Sequence, residues 1–204
     1  MKVKIFVDFW NFQLSWNEYH KRLGNHSTVP IPWEKRFSEV LISKIKSGKN
    51  AQYAGTHVYA SINPKSDKDR RLNSFLQVMD LFSGYKVIVK ERKPAKQIKC
   101  SNEGCRKKII QCPHCNKELI RTVEKGVDTS IAIELFHYAL DNVYDTAILI
   151  SGDADFVPAI EYIQRRGNHI IHAGFKDQAF EVKKACWDHI DFEDIMPELL
   201  VPSV

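Results

Sequence analysis

The stretch Thr146-Ala147-Ile148-Leu149-Ile150-Ser151-Gly152-Asp153-Ala154-Asp155 decides the fold. Thr146 to Ser151 is a nearly continuous apolar run, as expected of a parallel strand covered on both faces. Asp155 to Arg166 then carries a helical pattern that Gly167 stops, and Asn168 to Ala173 reads as another strand. The same alternation extends upstream. Val3–Asp8 is a β-branched strand, and Phe9–Leu23 places Phe12, Trp16, Tyr19 and Leu23 at helical spacing. Trp33–Ile45 is a second helix, Ala51–Ala60 a strand, Lys68–Phe82 a helix and Tyr85–Val89 a strand. Pro94–Glu124 interrupts the series, which Gly126–Leu140 resumes as a helix. An Ala179–Ala185 helix and a short Asp188–Phe192 segment complete the tail. Strands alternating with helices predict a doubly wound three-layer α/β/α sandwich around a mainly parallel sheet.

The chain's 204 residues suit one domain with a substantial core. With 44% hydrophobic and 27% charged residues, the composition excludes a disordered chain. The longest apolar runs fall far short of a membrane span. Met1-Lys2-Val3-Lys4 leads straight into a strand with no long apolar leader, which predicts a cytoplasmic protein with no membrane partner. Oligomeric state is left open, a homodimer included.

Four of the five cysteines fall in the interruption, as Cys100-x4-Cys105-x6-Cys112-Pro-His-Cys115. Each pair can wrap a metal from one turn, and the two turns together complete a tetrahedron of thiolates. Redox chemistry at a C-x-x-C motif would need a single pair at a strand-to-helix turn. The pattern predicts a structural Zn²⁺ in a hairpin over 94–124, with all four positions filled by Cys100, Cys105, Cys112 and Cys115. His114 reads as a solvated neighbour, and Cys186, beside Trp187, as a small core residue.

Carboxylates occupy the places where chemistry happens in such sheets. Asp8 ends the first strand, and Asp153 and Asp155 follow the buried one. The crevice beyond the carboxyl ends of parallel strands is the usual ligand site. Asp128 stands in the first turn of its helix. Asp128 also suits a helix amino terminus simply by charge, and Asp155 a helix cap. Asp8 is harder to explain structurally, because a buried strand rarely ends in an unpartnered carboxylate. Converging carboxylates repel unless a cation neutralises them, and hard oxygen ligands suit Mg²⁺ or Mn²⁺.

Three blocks carry a resemblance: Phe6-Val7-Asp8-Phe9-Trp10-Asn11, Lys125-Gly126-Val127-Asp128, and Ile150 to Pro158 with its Ser151-Gly152-Asp153-Ala154-Asp155-Phe156 core. In order and separation they resemble the signature blocks of the NYN domain family, within the PIN-like ribonuclease superfamily, and most nearly its bacterial LabA-like branch. The resemblance implies a PIN-like Rossmann-type fold and metal-dependent cleavage of RNA. It implies that Asp8, Asp128 and Asp153 hold Mg²⁺ or Mn²⁺ with Asp155 assisting. Asn11 would orient the nucleophile or a phosphate, and Ser151 would support the site from behind. Two features depart from the family pattern. Phe9 and Trp10 fill a stretch usually occupied by a small residue, and the cysteine insertion is an addition to the basic domain.

Charge is unevenly spread. Residues 84–125 hold twelve Lys/Arg against four Asp/Glu, a local +8 in a chain whose total is +5. Four thiolates on one Zn²⁺ would carry a net charge of about −2, which trims that excess. A basic segment on a slightly acidic body suggests a polyanion partner. Lys90, Arg92, Lys93 and Lys96 leave the strand on the carboxylate edge, and Arg106, Lys107 and Lys108 would extend a phosphate-tracking groove along the hairpin; Lys125 adjoins Asp128. Trp10 and Phe12 could stack bases, but their spacing favours the core. The histidines at 57, 137, 169 and 172 match no metal or triad spacing. The expected function is a Mg²⁺- or Mn²⁺-dependent ribonuclease acting on single-stranded RNA; the alternative is a non-catalytic RNA-binding or regulatory module. A haloacid-dehalogenase-type phosphatase would need a second Asp where Trp10 stands.

Overall fold

The β-branched run Lys2–Asp8 (β1) is buried at every position after Lys2 and occupies the middle of the sheet. The computed structural model describes residues 1–25, 29–46, 50–94, 99–100, 102–116 and 122–200, so Lys96 lies outside the described residues. On one side β1 pairs with Gln52–Ile62 (β2), and β2 with Tyr85–Glu91 (β3). Two two-residue strands, Lys93–Pro94 (β4) and Thr122–Val123 (β5), pair with each other and close the base of the insertion. On the other side of β1 lie Thr146–Ile150 (β6), His169–Gly174 (β7) and Asp188–Asp191 (β8). Every pairing in this six-stranded sheet is parallel, in the order β3-β2-β1-β6-β7-β8. The direction of winding therefore reverses between β1 and β6, which is where a doubly wound sheet opens its crevice.

Strand alternation divides the core into two. Val3, Ile5 and Val7 face Phe9–Arg22 (α1), Lys35–Ser43 (α2), Asp67–Met79 (α3) and, at the far end, Phe192–Leu199 (α7). Phe6 faces Val127–Leu140 (α4), Val157–Arg165 (α5) and Phe180–Ala185 (α6). The first side is strongly aromatic. Phe12 stands 4.7 Å from Phe192 and 5.6–5.8 Å from Trp16, Trp33 and Phe37, ring centre to ring centre. Trp16 satisfies its buried N–H on the Val29 carbonyl at 2.9 Å. Phe12 is thus a core residue.

Two expectations change. The helix expected to begin at Asp155 opens instead with a 3₁₀ turn, Ala154–Phe156, capped by Asp153, whose carboxylate accepts the Asp155 N–H at 2.9 Å. Asp153, not Asp155, is therefore the capping residue, bonding the second residue of the turn as N-caps do, and a 3₁₀ turn of this length is a common way to open an α-helix. The tail segment Asp188–Phe192 divides, with Asp188–Asp191 forming the edge strand β8 and Phe192 opening α7 directly after it. No helix among the described residues is long and apolar enough to cross a membrane.

Candidate active site

The turns that leave β1 and β6 are tied together by a closed set of hydrogen bonds. Asp8 caps α1: one carboxylate oxygen accepts the Asn11 N–H at 3.2 Å. Its other oxygen accepts the Ser151 hydroxyl at 3.2 Å. That hydroxyl in turn accepts the Asp153 N–H at 3.3 Å. The Asn11 side-chain oxygen accepts the Gly152 N–H at 2.9 Å. A Cβ on Gly152 would stand 3.2 Å from that of Ala179 and 3.5 Å from the Asn11 oxygen, so the bare backbone lets these turns approach. Four sequence-predicted residues, Asp8, Asn11, Ser151 and Asp153, are therefore one unit at the switch point. Ser151 and Asp8 are buried, Asp153 is half-buried and Asp155 is exposed.

Asp128 joins them electrostatically. It lies in the first turn of α4, after Gly126 in a left-handed conformation. Burial raises its carboxyl above the ordinary value, and the charges of Asp153, Glu124 and Asp155 raise it further. Burial pushes Asp8 up to about 6 despite its two hydrogen bonds, with the charges of Asp128 and Glu124 adding to the effect. Among the described residues only acidic charges act on these two carboxyls, and their oxygen donors fit a hard divalent cation. Among the described residues, however, no three His, Cys, Asp or Glu side chains form a group arranged to hold a metal ion. The carboxylates are neighbours that repel, not a closed cage.

Glu124 had no motif to announce it. It follows β5 directly and reaches the site because β4 and β5 close the insertion there. The only available hint was an acid four residues before Asp128.

The basic residues separate into three groups. Arg92 belongs to the site's rim: its Nε donates to the Ser61 hydroxyl at 3.0 Å and its guanidinium lies 4.9 Å over the Trp10 ring. Lys90 pairs in register with Ser61, Lys93 is exposed next to Arg92, and Lys125 is exposed next to Glu124. Arg106, Lys107 and Lys108 are exposed on the insertion. Phe9 turns into the aromatic core, stacked 6.0 Å from Trp33, and so is directed away from the crevice. Trp10 is half-buried, donates to the Ser61 carbonyl at 2.7 Å and offers its face to Arg92.

In the insertion, all four cysteines carry free thiols. Two turns repeat one design. Arg106, just after Cys105, has φ 44° and bonds back to the Asn102 carbonyl; Asn116, just after Cys115, has φ 53° and bonds back to Cys112. An antiparallel bridge, Lys99 to Lys108, closes the first of them. The N–H groups of His114 and Cys115, with the Cys115 thiol, draw the Cys112 thiol below its ordinary value. His57, His137 and His169 bond elsewhere, whereas His172 meets the Ser151 backbone behind the site. His57 bonds Glu134 at 2.9 Å, His169 stacks on Trp187 at 4.2 Å and His137 sits 3.4 Å from Asp141. Buried His172 is pushed down to about 4 by burial and holds its ring against Gly174, where a Cβ would stand 2.4 Å away.

A six-stranded parallel sheet flanked by helices, with acidic residues gathered at its switch point, is consistent with a PIN-like α/β fold. The NYN domain model matches residues 2–195, and the chain belongs to that family. It is also similar to the crystal structure of a protein of unknown function from Vibrio parahaemolyticus RIMD 2210633. That likeness has a TM-score of 0.54 and 18% identity over 98% of this chain and 96% of that one, and it supports the fold alone. No curated protein matches the chain.

Proposed function

We propose that this protein is a Mg²⁺- or Mn²⁺-dependent endoribonuclease of the LabA-like branch that hydrolyses phosphodiester bonds of single-stranded RNA in the cytoplasm. The observation that carries this reading is the bonded unit Asp8–Ser151–Asp153 at the switch point, with Asp128 close enough to raise the Asp8 carboxyl. Asp8, Asp128 and Asp153 would hold the cation, with Asp155 at the exposed rim. When bound, the ion supplies Lewis acidity and lowers the pKa of water beside it.

The chain's own groups do the rest. Ser151 fixes the Asp8 carboxylate from below, leaving its charge directed at the crevice. Asn11 locks the β1 turn to Gly152 and keeps its amide nitrogen as a donor to a phosphate oxygen. Lys90, Arg92, Lys93 and Lys125 lead a phosphate backbone towards the acids, and Lys96 would extend the same path. Arg106, Lys107 and Lys108 continue it along the insertion, which a Zn²⁺ on Cys100, Cys105, Cys112 and Cys115 would brace.

The open spacing of the acidic side chains favours a second reading, a non-catalytic RNA-binding or regulatory module. A labelled single-stranded RNA decides between them. The enzyme cleaves it with Mn²⁺ and stops with EDTA; a binding module retains it intact under both conditions.

A further inference from the structure

Ser61 is the point where the insertion meets the site. It lies two residues beyond Tyr59, the register partner of Asp8, and therefore on the same sheet face as Tyr59. Its hydroxyl donates to the Glu124 carboxylate and accepts from Arg92 Nε. Its carbonyl accepts from Trp10, and the neighbouring Ile62 carbonyl accepts the Arg92 N–H at 2.7 Å. Arg92 precedes β4 and Glu124 follows β5, so the two stems of the insertion leave one residue each on the same hydroxyl. This is a clasp at the foot of the hairpin, and it stands beside the carboxylates.

Glu124 is the unusual member. Glu124 is exposed as a residue, yet its carboxylate is held on the Ser61 hydroxyl, two residues past the register partner of Asp8, and it stands four residues before Asp128 in the chain. Resting on the proposed nuclease reading, we propose that Glu124 is a positioning residue of the site: clasped by Ser61, it adds negative charge that strengthens divalent-cation binding by Asp8 and Asp128. The insertion thereby reaches the chemistry. β5 and Glu124 are consecutive, so a displacement of the hairpin by a bound polyanion displaces the carboxylate.

The test is Mn²⁺ binding to the full chain without RNA, followed by electron paramagnetic resonance of the free ion. Glu124→Gln should weaken binding about tenfold, the low end of what supporting groups around metal ligands contribute. Glu124→Asp, which restores the charge, should recover part of that loss. Ser61→Ala should weaken binding in the same direction but less. Glu161→Gln, an exposed acid on α5, controls for net charge and should change nothing. Far-ultraviolet circular dichroism establishes that each variant is folded. Parent-like Mn²⁺ affinity in Glu124→Gln overturns the inference, as does equal weakening by Gln and Asp, which would mark a structural role. Failure of the nuclease reading looks different: the parent itself would bind no Mn²⁺, or Asp8→Asn would bind it as the parent does.

Discussion

The switch point and the insertion hold their polar groups in opposite ways. At the switch point Asp8, Asn11, Ser151 and Asp153 satisfy one another within a crevice whose walls are buried strands. In the insertion, the described residues contribute nothing to either apolar core, and Ile109 and Ile110 are exposed. Among its described residues, order rests on two short stems, the Lys99–Lys108 bridge and local turns. The first region is built by the sheet and needs nothing else to form. The second has backbone turns suited to a ligand but lacks the buried area that could fix it alone.

Changes that damage the sheet's core should therefore have the largest effect on stability. Phe12→Ala should cost about 3–5 kcal/mol in denaturant unfolding, because it removes the ring shared by Trp16, Trp33, Phe37 and Phe192. Ile110→Ala, in the exposed insertion, should stay within roughly 0.5 kcal/mol of the parent. Equal losses would erase the contrast.

Asp8 sharpens it through pH. In the metal-free fold its carboxyl sits at about 6, above the ordinary 3.8. The fold thus binds this proton more tightly than the open chain does. Its favourable contribution is complete below pH 3.8 and is lost as pH rises through about 6. Asp8→Asn in EDTA should consequently gain stability relative to the parent between those values. The gain should reach on the order of 3 kcal/mol by pH 7.5 and vanish near pH 3.5. A pH-independent difference would show that the carboxylate is not held against its neighbours.

Most of this architecture was legible because it is local. The Thr146–Ile150 run reads as a two-faced parallel strand, and the positions of Asp8 and Asp153 follow from the pairing of their strands. The illegible parts depend on distant partners. β8 is four residues long and gains its identity only from β7, and α7 shares Phe192 with the core that the α1 aromatics form. Glu124 is invisible for the same reason: its place depends on β4 meeting β5 across an insertion of about thirty residues. Arg92 reads as one more basic residue, yet the fold gives it Ser61 and Trp10 as fixed partners, unlike exposed Lys93.

Smaller effects should follow from the insertion itself. Cys112→Ser should abolish bound zinc by elemental analysis while shifting the sheet's unfolding by less than about 1 kcal/mol. A collapse of the whole fold would contradict the separation of the two regions. Lys107→Ala with Lys108→Ala should flatten the salt dependence of RNA binding by about 1.4 in slope, two single-strand phosphate contacts. An unchanged slope would remove the insertion from the RNA path.

The central claim is that carboxylates at the switch point cleave RNA, and Asp153→Asn tests it most directly. Cleavage of a labelled single-stranded RNA with Mn²⁺ should fall by roughly three orders of magnitude, while binding of that RNA persists or tightens as one repulsive charge disappears. Cleavage by the Asp153→Asn protein at the parent rate would contradict the account.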